Sequence, residues 1–285
     1  MTSLADWRRF FAEEIQIGCG LRTGALVEAL ATVPREQFLA PGPWTVRGEG
    51  DALGGGPRQT PDDDPRHVYH NVAVGIDPAR HLFNGAPSIV ASAIDHLALG
   101  PGGRVMHLGA GLGYYTALMA EIVGPSGRVV GIEVDEALAA GAKRNLSSRA
   151  WVEVRHGDGT GPLAEPFDAI LINAGVTHPR DEWLDALVTG GRLALPLTAT
   201  FPQMGPIGKG PMLLLAKTAD GGFDVRVLTL VAICSAVGLR DDALNAEVGK
   251  ALSRGPFAPP KRLRRDAHEA SAACWLHGPT FCLST

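Results

Sequence analysis

Over residues 4 to 40 the apolar positions fall at helical spacing, Leu26, Leu30 and Val33 among them, and Pro34 marks a break. Residues 67 to 100 lead through an extended piece into a helix predicted to begin near Pro87, a first-turn position where proline's missing N–H costs nothing. From about 103 to 200 short apolar runs alternate with helical patterns. The predicted strands are Arg104–Leu108, Val129–Glu133, Val152–Val154, Phe167–Ile172 and Arg192–Pro196. Helices are predicted over Tyr115–Val123, Glu136–Asn145 and 181–188. Such alternation requires right-handed crossovers, so the expected class is α/β: a doubly wound, mostly parallel, Rossmann-like sheet. Two further apolar runs, Met212–Lys217 and Val225–Val231, flank Asp220-Gly221-Gly222 and predict a terminal antiparallel hairpin.

Punctuation divides the rest. Residues 41 to 66 contain Gly54-Gly55-Gly56-Pro57 and Asp62-Asp63-Asp64-Pro65 and are expected to form a long loop. Residues 239 to 254 predict an amphipathic helix ending at Gly255, and Pro259-Pro260 opens a tail that holds Trp275, Phe281 and two cysteines. The expected organisation is an amino-terminal part over 1–66, a core over 67–238 and an extension over 239–285.

Composition narrows the function classes. At 45% hydrophobic and 20% charged, the 285 residues support a buried core. A net charge of −4 argues against a protein that binds nucleic acid by neutralising phosphates. The basic run Lys261-Arg262-Leu263-Arg264-Arg265 reads as a solvated surface segment. No apolar stretch of roughly 18 residues is present, so no membrane partner is expected. The start, Met1 to Arg9, lacks the order of a secretory signal, and a cytoplasmic chain is expected. Cys19, Cys234, Cys274 and Cys282 form no CxxC pair; their spacing predicts reduced thiols, with neither a zinc site nor a disulfide framework.

The informative segment is His107-Leu108-Gly109-Ala110-Gly111-Leu112-Gly113-Tyr114, between a buried strand and a helix. Glycines there permit a sharp turn and let a ligand touch the backbone at a helix N-terminus. Their spacing is G-x-G-x-G, whereas a dinucleotide fingerprint needs a glycine where Tyr114 stands. Glu133 ends the next strand, where a carboxylate accepts both hydroxyls of a ribose. Asp158, within Gly157-Asp158-Gly159, follows the third strand, where an acid reaches an adenine amino group. Asn173 ends the fourth strand, at the edge where parallel sheets bind ligands. His178 and Arg180 follow it, with no direction fixed by the sequence.

This series, together with Gly190-Gly191-Arg192-Leu193, resembles a class I S-adenosyl-L-methionine-dependent methyltransferase. More narrowly it resembles the protein-L-isoaspartate O-methyltransferase family. Ala31 to Pro41 looks like that family's helix-end signature, and His156-Gly157-Asp158-Gly159 and Phe167 to Ala174 match its later motifs. The similarity covers roughly residues 15 to 237. It implies S-adenosyl-L-methionine as cofactor, held by His107, Gly109, Ala110, Gly111, Gly113, Glu133, Asp158, Gly159 and Asn173. It implies methyl transfer to a carboxylate of a peptide, a protein or a small molecule. Catalytic candidates are Asn71, His81, Asn84 and Gly85.

Three positions depart from the family pattern. Asn71 stands where the family carries an acid, Gly85 where it carries a hydroxyl, and His107 where the cofactor motif is usually acidic. The cofactor machinery thus reads as present and the acceptor machinery as altered. Methyl transfer to a carboxylate needs alignment more than acid–base help, so loss of one hydroxyl re-specifies the acceptor without abolishing the reaction. Two other readings stay open: a cofactor-binding homologue without isoaspartate repair, acting as a regulatory or interaction module, and an NAD-dependent oxidoreductase.

Overall fold

The computed structural model describes residues 3–48, 56–161, 163–202, 205–254 and 259–285; Gly54, Gly55 and Gly255, singled out above, lie outside them. The chain divides into two compact units. One comprises Met1–Gly103 with Gly109–Gly157, the other Arg104–Leu108 with Asp158–Thr285.

The first unit opens with α1 (Leu4–Cys19), started by a reciprocal cap between Ser3 and Asp6 and stopped at Gly20, whose φ of 64° suits glycine. Helix α2 (Gly24–Thr32) follows. A small sheet of order β2-β1-β3-β4 comes next, made of β1 (Thr45–Arg47), β2 (Arg58–Gln59), β3 (Ala73–Asp77) and β4 (Leu82–Phe83). Helix α3 (Pro87–Leu97) begins at the proline that predicted it. Two strand–helix steps complete the unit: α4 (Tyr114–Val123), β6 (Arg128–Glu133), α5 (Glu136–Asn145) and β7 (Val152–His156). Strands β6 and β7 pair in parallel, Val129 opposite Val152 and Glu133 opposite His156. Nearly every residue of α4 is buried, the mark of a helix enclosed on all sides.

The long loop expected over 41–66 is corrected at its described residues, 41–48 and 56–66. Its strands β1 and β2 pair antiparallel, and Trp44 and Thr60 are buried. The Trp44 N–H donates to Thr60 Oγ1 at 2.8 Å and its indole N–H donates to the Ala40 carbonyl at 2.7 Å. One large ring with satisfied donors anchors a stretch whose composition argues for a loop. The acidic run acts locally. Asp64 caps the turn Pro65–Val68 by accepting from the Arg66 N–H, and Asp62 bonds His67.

In the second unit, β5 (Arg104–Leu108), β8 (Phe167–Ile172) and β9 (Leu187–Pro196) run parallel in the order β9-β8-β5. Helix α6 (Asp181–Ala186) is shorter than predicted, because β9 begins at Leu187 and takes up the Gly190-Gly191 pair. The hairpin is longer than predicted: β11 (Ile207–Lys217) pairs along its length with β12 (Phe223–Cys234), and β11 also pairs with the short β10 (Ala199–Thr200) and with β9. After α7 (Asp242–Ser253) the tail adds three antiparallel strands, β13 (Arg262–Arg264), β14 (Cys274–His277) and β15 (Cys282–Ser284), in the order β14-β15-β13-β12. The α/β class stands, with an antiparallel part that extends well past the predicted hairpin. The basic run on β13 is internally neutralised: Arg262 pairs with Asp220 and Asp224, Arg264 with Asp266, and Arg265 with Asp181 and Asp185. No helix among the described residues is long and apolar enough to cross a membrane.

Candidate functional site

In the first unit, the glycine loop is a tight turn held from below. The Gly109 and Ala110 N–H groups both donate to the Ile132 carbonyl, at 2.9 and 3.1 Å, and the Gly113 N–H donates to the Ala110 carbonyl at 2.9 Å. Gly109, Gly111 and Gly113 have φ of 79°, 56° and 96°, which side-chain-bearing residues rarely adopt. A Cβ on Gly113 would lie 2.8 Å from Leu146 Cδ1, so this glycine also lets α5 approach. A Cβ on Gly111 would lie 3.3 Å from Ile76 Cδ1.

Glu133 is 7% exposed, and its carboxylate is gripped at both oxygens. Oε2 accepts from the Gly111 N–H at 2.7 Å and Oε1 from the Asp135 N–H at 3.0 Å. Each oxygen has two lone pairs, so one acceptor position per oxygen remains for a pair of adjacent hydroxyls. A tight glycine turn, and beside it a fixed carboxylate with two open acceptor positions, fit the amino-acid end and the ribose of S-adenosyl-L-methionine.

The four catalytic candidates are also in this unit, and all four are engaged in hydrogen bonds, His81 through its N–H to the Pro78 carbonyl at 3.1 Å. Asn71 Oδ1 accepts from the Ser88 N–H at 2.9 Å, capping the first turn of α3. Asn84 Oδ1 accepts from the Val74 N–H at 2.9 Å and from Arg35 at 3.3 Å, while its Nδ2 is buried with no hydrogen-bond partner among the described residues. Gly85 has a φ of 82°, and its carbonyl accepts from the Tyr115 hydroxyl at 3.0 Å. His81 is exposed on a turn at a φ of 59°. Tyr114 and Tyr115 pack edge to face at 5.1 Å and are buried.

Arg35 enters the sequence reading only as part of a signature, and its role is a product of tertiary structure. Its side chain is fully buried. The guanidinium donates to the carbonyls of Val68 (2.7 Å), His70 (3.3 Å) and Val72 (2.7 Å) and to Asn84, and it lies over the rings of Phe11 and Tyr114. One cation therefore shapes the segment that carries Asn71 and Asn84. The available signal was an arginine placed directly after Pro34 in the helix-end motif.

In the second unit, His107 is fully buried on β5, opposite Leu171 of β8. Burial pushes its pKa down to about 3, so the imidazole is neutral where an acid is usual. Asp158 Oδ1 accepts from the Thr160 hydroxyl and N–H at 2.6 and 2.9 Å, which holds its carboxyl below the usual range. The Gly159 carbonyl accepts from the Trp183 indole at 3.2 Å. The Asn173 N–H donates to the Leu108 carbonyl at 2.8 Å, and its half-buried side chain follows the end of β8. His178 stacks on Phe281, and Arg180 pairs with Glu182.

Comparison with known proteins decides the family. Residues 56–236 match the family described as protein-L-isoaspartate(D-aspartate) O-methyltransferase. The chain belongs to that family. Among similar relatives, the protein-L-isoaspartate O-methyltransferase of Methylorubrum extorquens is 34% identical over 245 residues, 83% of this chain and 92% of the relative. That of Methanopyrus kandleri is 30% identical over 206 residues, 70% of this chain and 78% of the relative. A solved protein-L-isoaspartate O-methyltransferase superposes with a TM-score of 0.63 at 21% identity, covering 90% of this chain and 73% of that one. A Plasmodium falciparum structure, described as a protein-L-isoaspartate O-methyltransferase with S-adenosyl-L-homocysteine, gives 0.59 at 17% identity and covers 80% and 97%. These two likenesses carry the fold. Family membership makes the chain an S-adenosyl-L-methionine-dependent carboxyl methyltransferase and sets aside the oxidoreductase reading.

Proposed function

We propose that the protein methylates a carboxylate of a peptide or protein, with an acceptor specificity shifted away from isoaspartate. The cofactor part of this reading rests above all on the Glu133 carboxylate, pinned by the Gly111 and Asp135 N–H groups with acceptor positions to spare. Bound S-adenosyl-L-methionine supplies an activated methyl group on sulfur. Glu133 takes the ribose hydroxyls, and Gly109, Ala110, Gly111 and Gly113 offer backbone to the amino-acid end. Contacts of Asp158 and Gly159 with adenine, and of His107 and Asn173 with the cofactor, rest on the sequence resemblance. Free cysteines favour a reducing, cytoplasmic setting.

Glu133→Gln tests the cofactor assignment. An amide offers one acceptor oxygen and one donor nitrogen, so it opposes one of the two backbone N–H groups and loses the charge-assisted bonds to the ribose. Hydrogen bonds to charged groups are worth about 1.5–3 kcal/mol, which corresponds to a roughly 10- to 150-fold loss of affinity. Titration calorimetry with S-adenosyl-L-methionine reads this directly; a change below twofold places the ribose elsewhere.

The acceptor assignment rests on Asn71 and Gly85, which replace an acid and a hydroxyl of the family pattern. Among the candidates, Asn84 offers a buried, unspent N–H donor suited to a carboxylate. His81 is kept as a contact from the exposed turn. An isoaspartyl peptide is expected to be methylated weakly or not at all. Gly85→Ser is the companion variant. Its backbone φ of 82° strains any side chain, so the serine restores activity only if this turn relaxes. The assay is transfer of labelled methyl to peptide, read as base-labile ester. Robust turnover of an isoaspartyl peptide by the unaltered protein overturns the specificity shift and leaves the cofactor assignment standing.

A further inference from the structure

Beyond residue 236, where the family match ends, the tail brings together His268, Cys274, His277 and Cys282. Their potential ligand atoms all lie within 4.8 Å of one another. Sequence spacing hides this, because no CxxC pair exists. Three local devices build the cluster. Residues three apart on a regular strand face opposite sides, but a bulge between Cys274 and Leu276 inserts one extra residue. Cys274 and His277 therefore reach the same side of β14. The turn after His277, closed by the Gly278 N–H to the Phe281 carbonyl at 2.9 Å, sets Cys282 of β15 directly opposite His277. In the preceding loop, His268 Nδ1 meets the Asp266 carbonyl at 2.9 Å and the Asp266 carboxylate at 3.5 Å. That fixes the ring and turns Nε2 to Cys274 Sγ, 3.6 Å away.

We propose that these four side chains bind one zinc ion in a closed, tetrahedral Cys2His2 site. Sulfur at about 2.3 Å and nitrogen at about 2.0–2.1 Å from a tetrahedral zinc stand about 3.6 Å apart, the separation between Cys274 and His268. Two thiolates and two neutral imidazoles favour zinc among the available divalent ions, and two thiolates balance its charge. On binding, two S–H bonds break, two S–Zn bonds form and two protons leave to solvent, with no change of oxidation state. The surroundings suit the product. The Ser271 N–H donates to Cys274 Sγ at 3.4 Å, a bond that supports a thiolate, and the Asp266 carbonyl backs His268 from Nδ1. Both cysteines are buried while His277 is exposed, which leaves an entry side for the ion. Four protein ligands leave no open position, so the ion is structural. It ties the loop before β14 to the β14–β15 hairpin.

The full-length protein, purified without chelator, is expected to carry one zinc per chain by elemental analysis. The metal-free protein titrated with Co2+ alone is expected to develop the d–d bands of a tetrahedral centre with thiolate charge transfer. Cys274→Ser with Cys282→Ser abolishes both signals, whereas Cys19→Ser with Cys234→Ser keeps them. Thiol alkylation of the unaltered chain gives a readout independent of whether the double variant folds: added zinc protects Cys274 and Cys282 and leaves Cys234 reactive. A six-coordinate cobalt spectrum, equal alkylation with and without zinc, or a Cys274–Cys282 disulfide in freshly purified protein overturns the assignment.

Discussion

Gly111→Val is expected to abolish measurable binding of S-adenosyl-L-methionine while the chain stays folded. Gly111 sits at a φ of 56°, where an L side chain costs about 1–2 kcal/mol, and valine's branched Cβ is poorly suited to it. The new Cβ would also press on Ile76 Cδ1 from 3.3 Å. Either adjustment, a shifted loop or a shifted Ile76 segment, moves the N–H that fixes Glu133 Oε2, and the valine methyls fill the space above the turn. Stability should fall by about 1–2 kcal/mol, an amount a folded domain tolerates. Calorimetry on the folded variant decides the matter. Unchanged affinity would remove the glycine turn from the cofactor site.

The second large effect is on stability. Arg35→Met replaces a fully buried guanidinium side chain by an apolar one that ends about where Nε stood, and leaves the Val68 and Val72 carbonyls without their 2.7 Å partners. A buried carbonyl left unpaired costs about 1–3 kcal/mol, and relief of the buried charge offsets part of that. The expected loss is about 3 kcal/mol, read as a lower denaturant midpoint at unchanged slope. Arg35→Lys keeps the charge but lacks the planar fork that serves several acceptors, so it should recover only part of the stability. A loss below about 1 kcal/mol in the methionine variant would mean that water or relaxed backbone satisfies the segment.

The strand–helix core was legible in the sequence because burial on both faces leaves a near-continuous apolar run, as in Phe167–Ile172, broken only by Asp168, and Val129–Ile132. The glycine turn and Glu133 were legible for a related reason. Their geometry depends on backbone freedom and on position at a strand end, both of which are local properties. Boundaries were less legible. Strand β9 begins at Leu187 rather than Arg192, since the ladder with β8 absorbs the Gly190-Gly191 irregularity that composition reads as a break.

Non-local partners account for what stayed hidden. Trp44 and Thr60 organise a stretch that looks like loop because the hydrogen bonds joining them span 16 positions. Arg35 gathers acceptors more than 30 positions away, and its role emerges only once those carbonyls converge. The His268, Cys274, His277 and Cys282 cluster depends on a one-residue bulge that reverses which side of a strand Cys274 faces. By itself, then, the amino-acid sequence determined the α/β class, the glycine turn and the carboxylate at the end of β6, since each follows from periodicity or local backbone chemistry. Tertiary structure alone decided the buried arginine's acceptors and the fourfold ligand cluster of the tail, since both require side chains to meet across segments whose register no local pattern specifies.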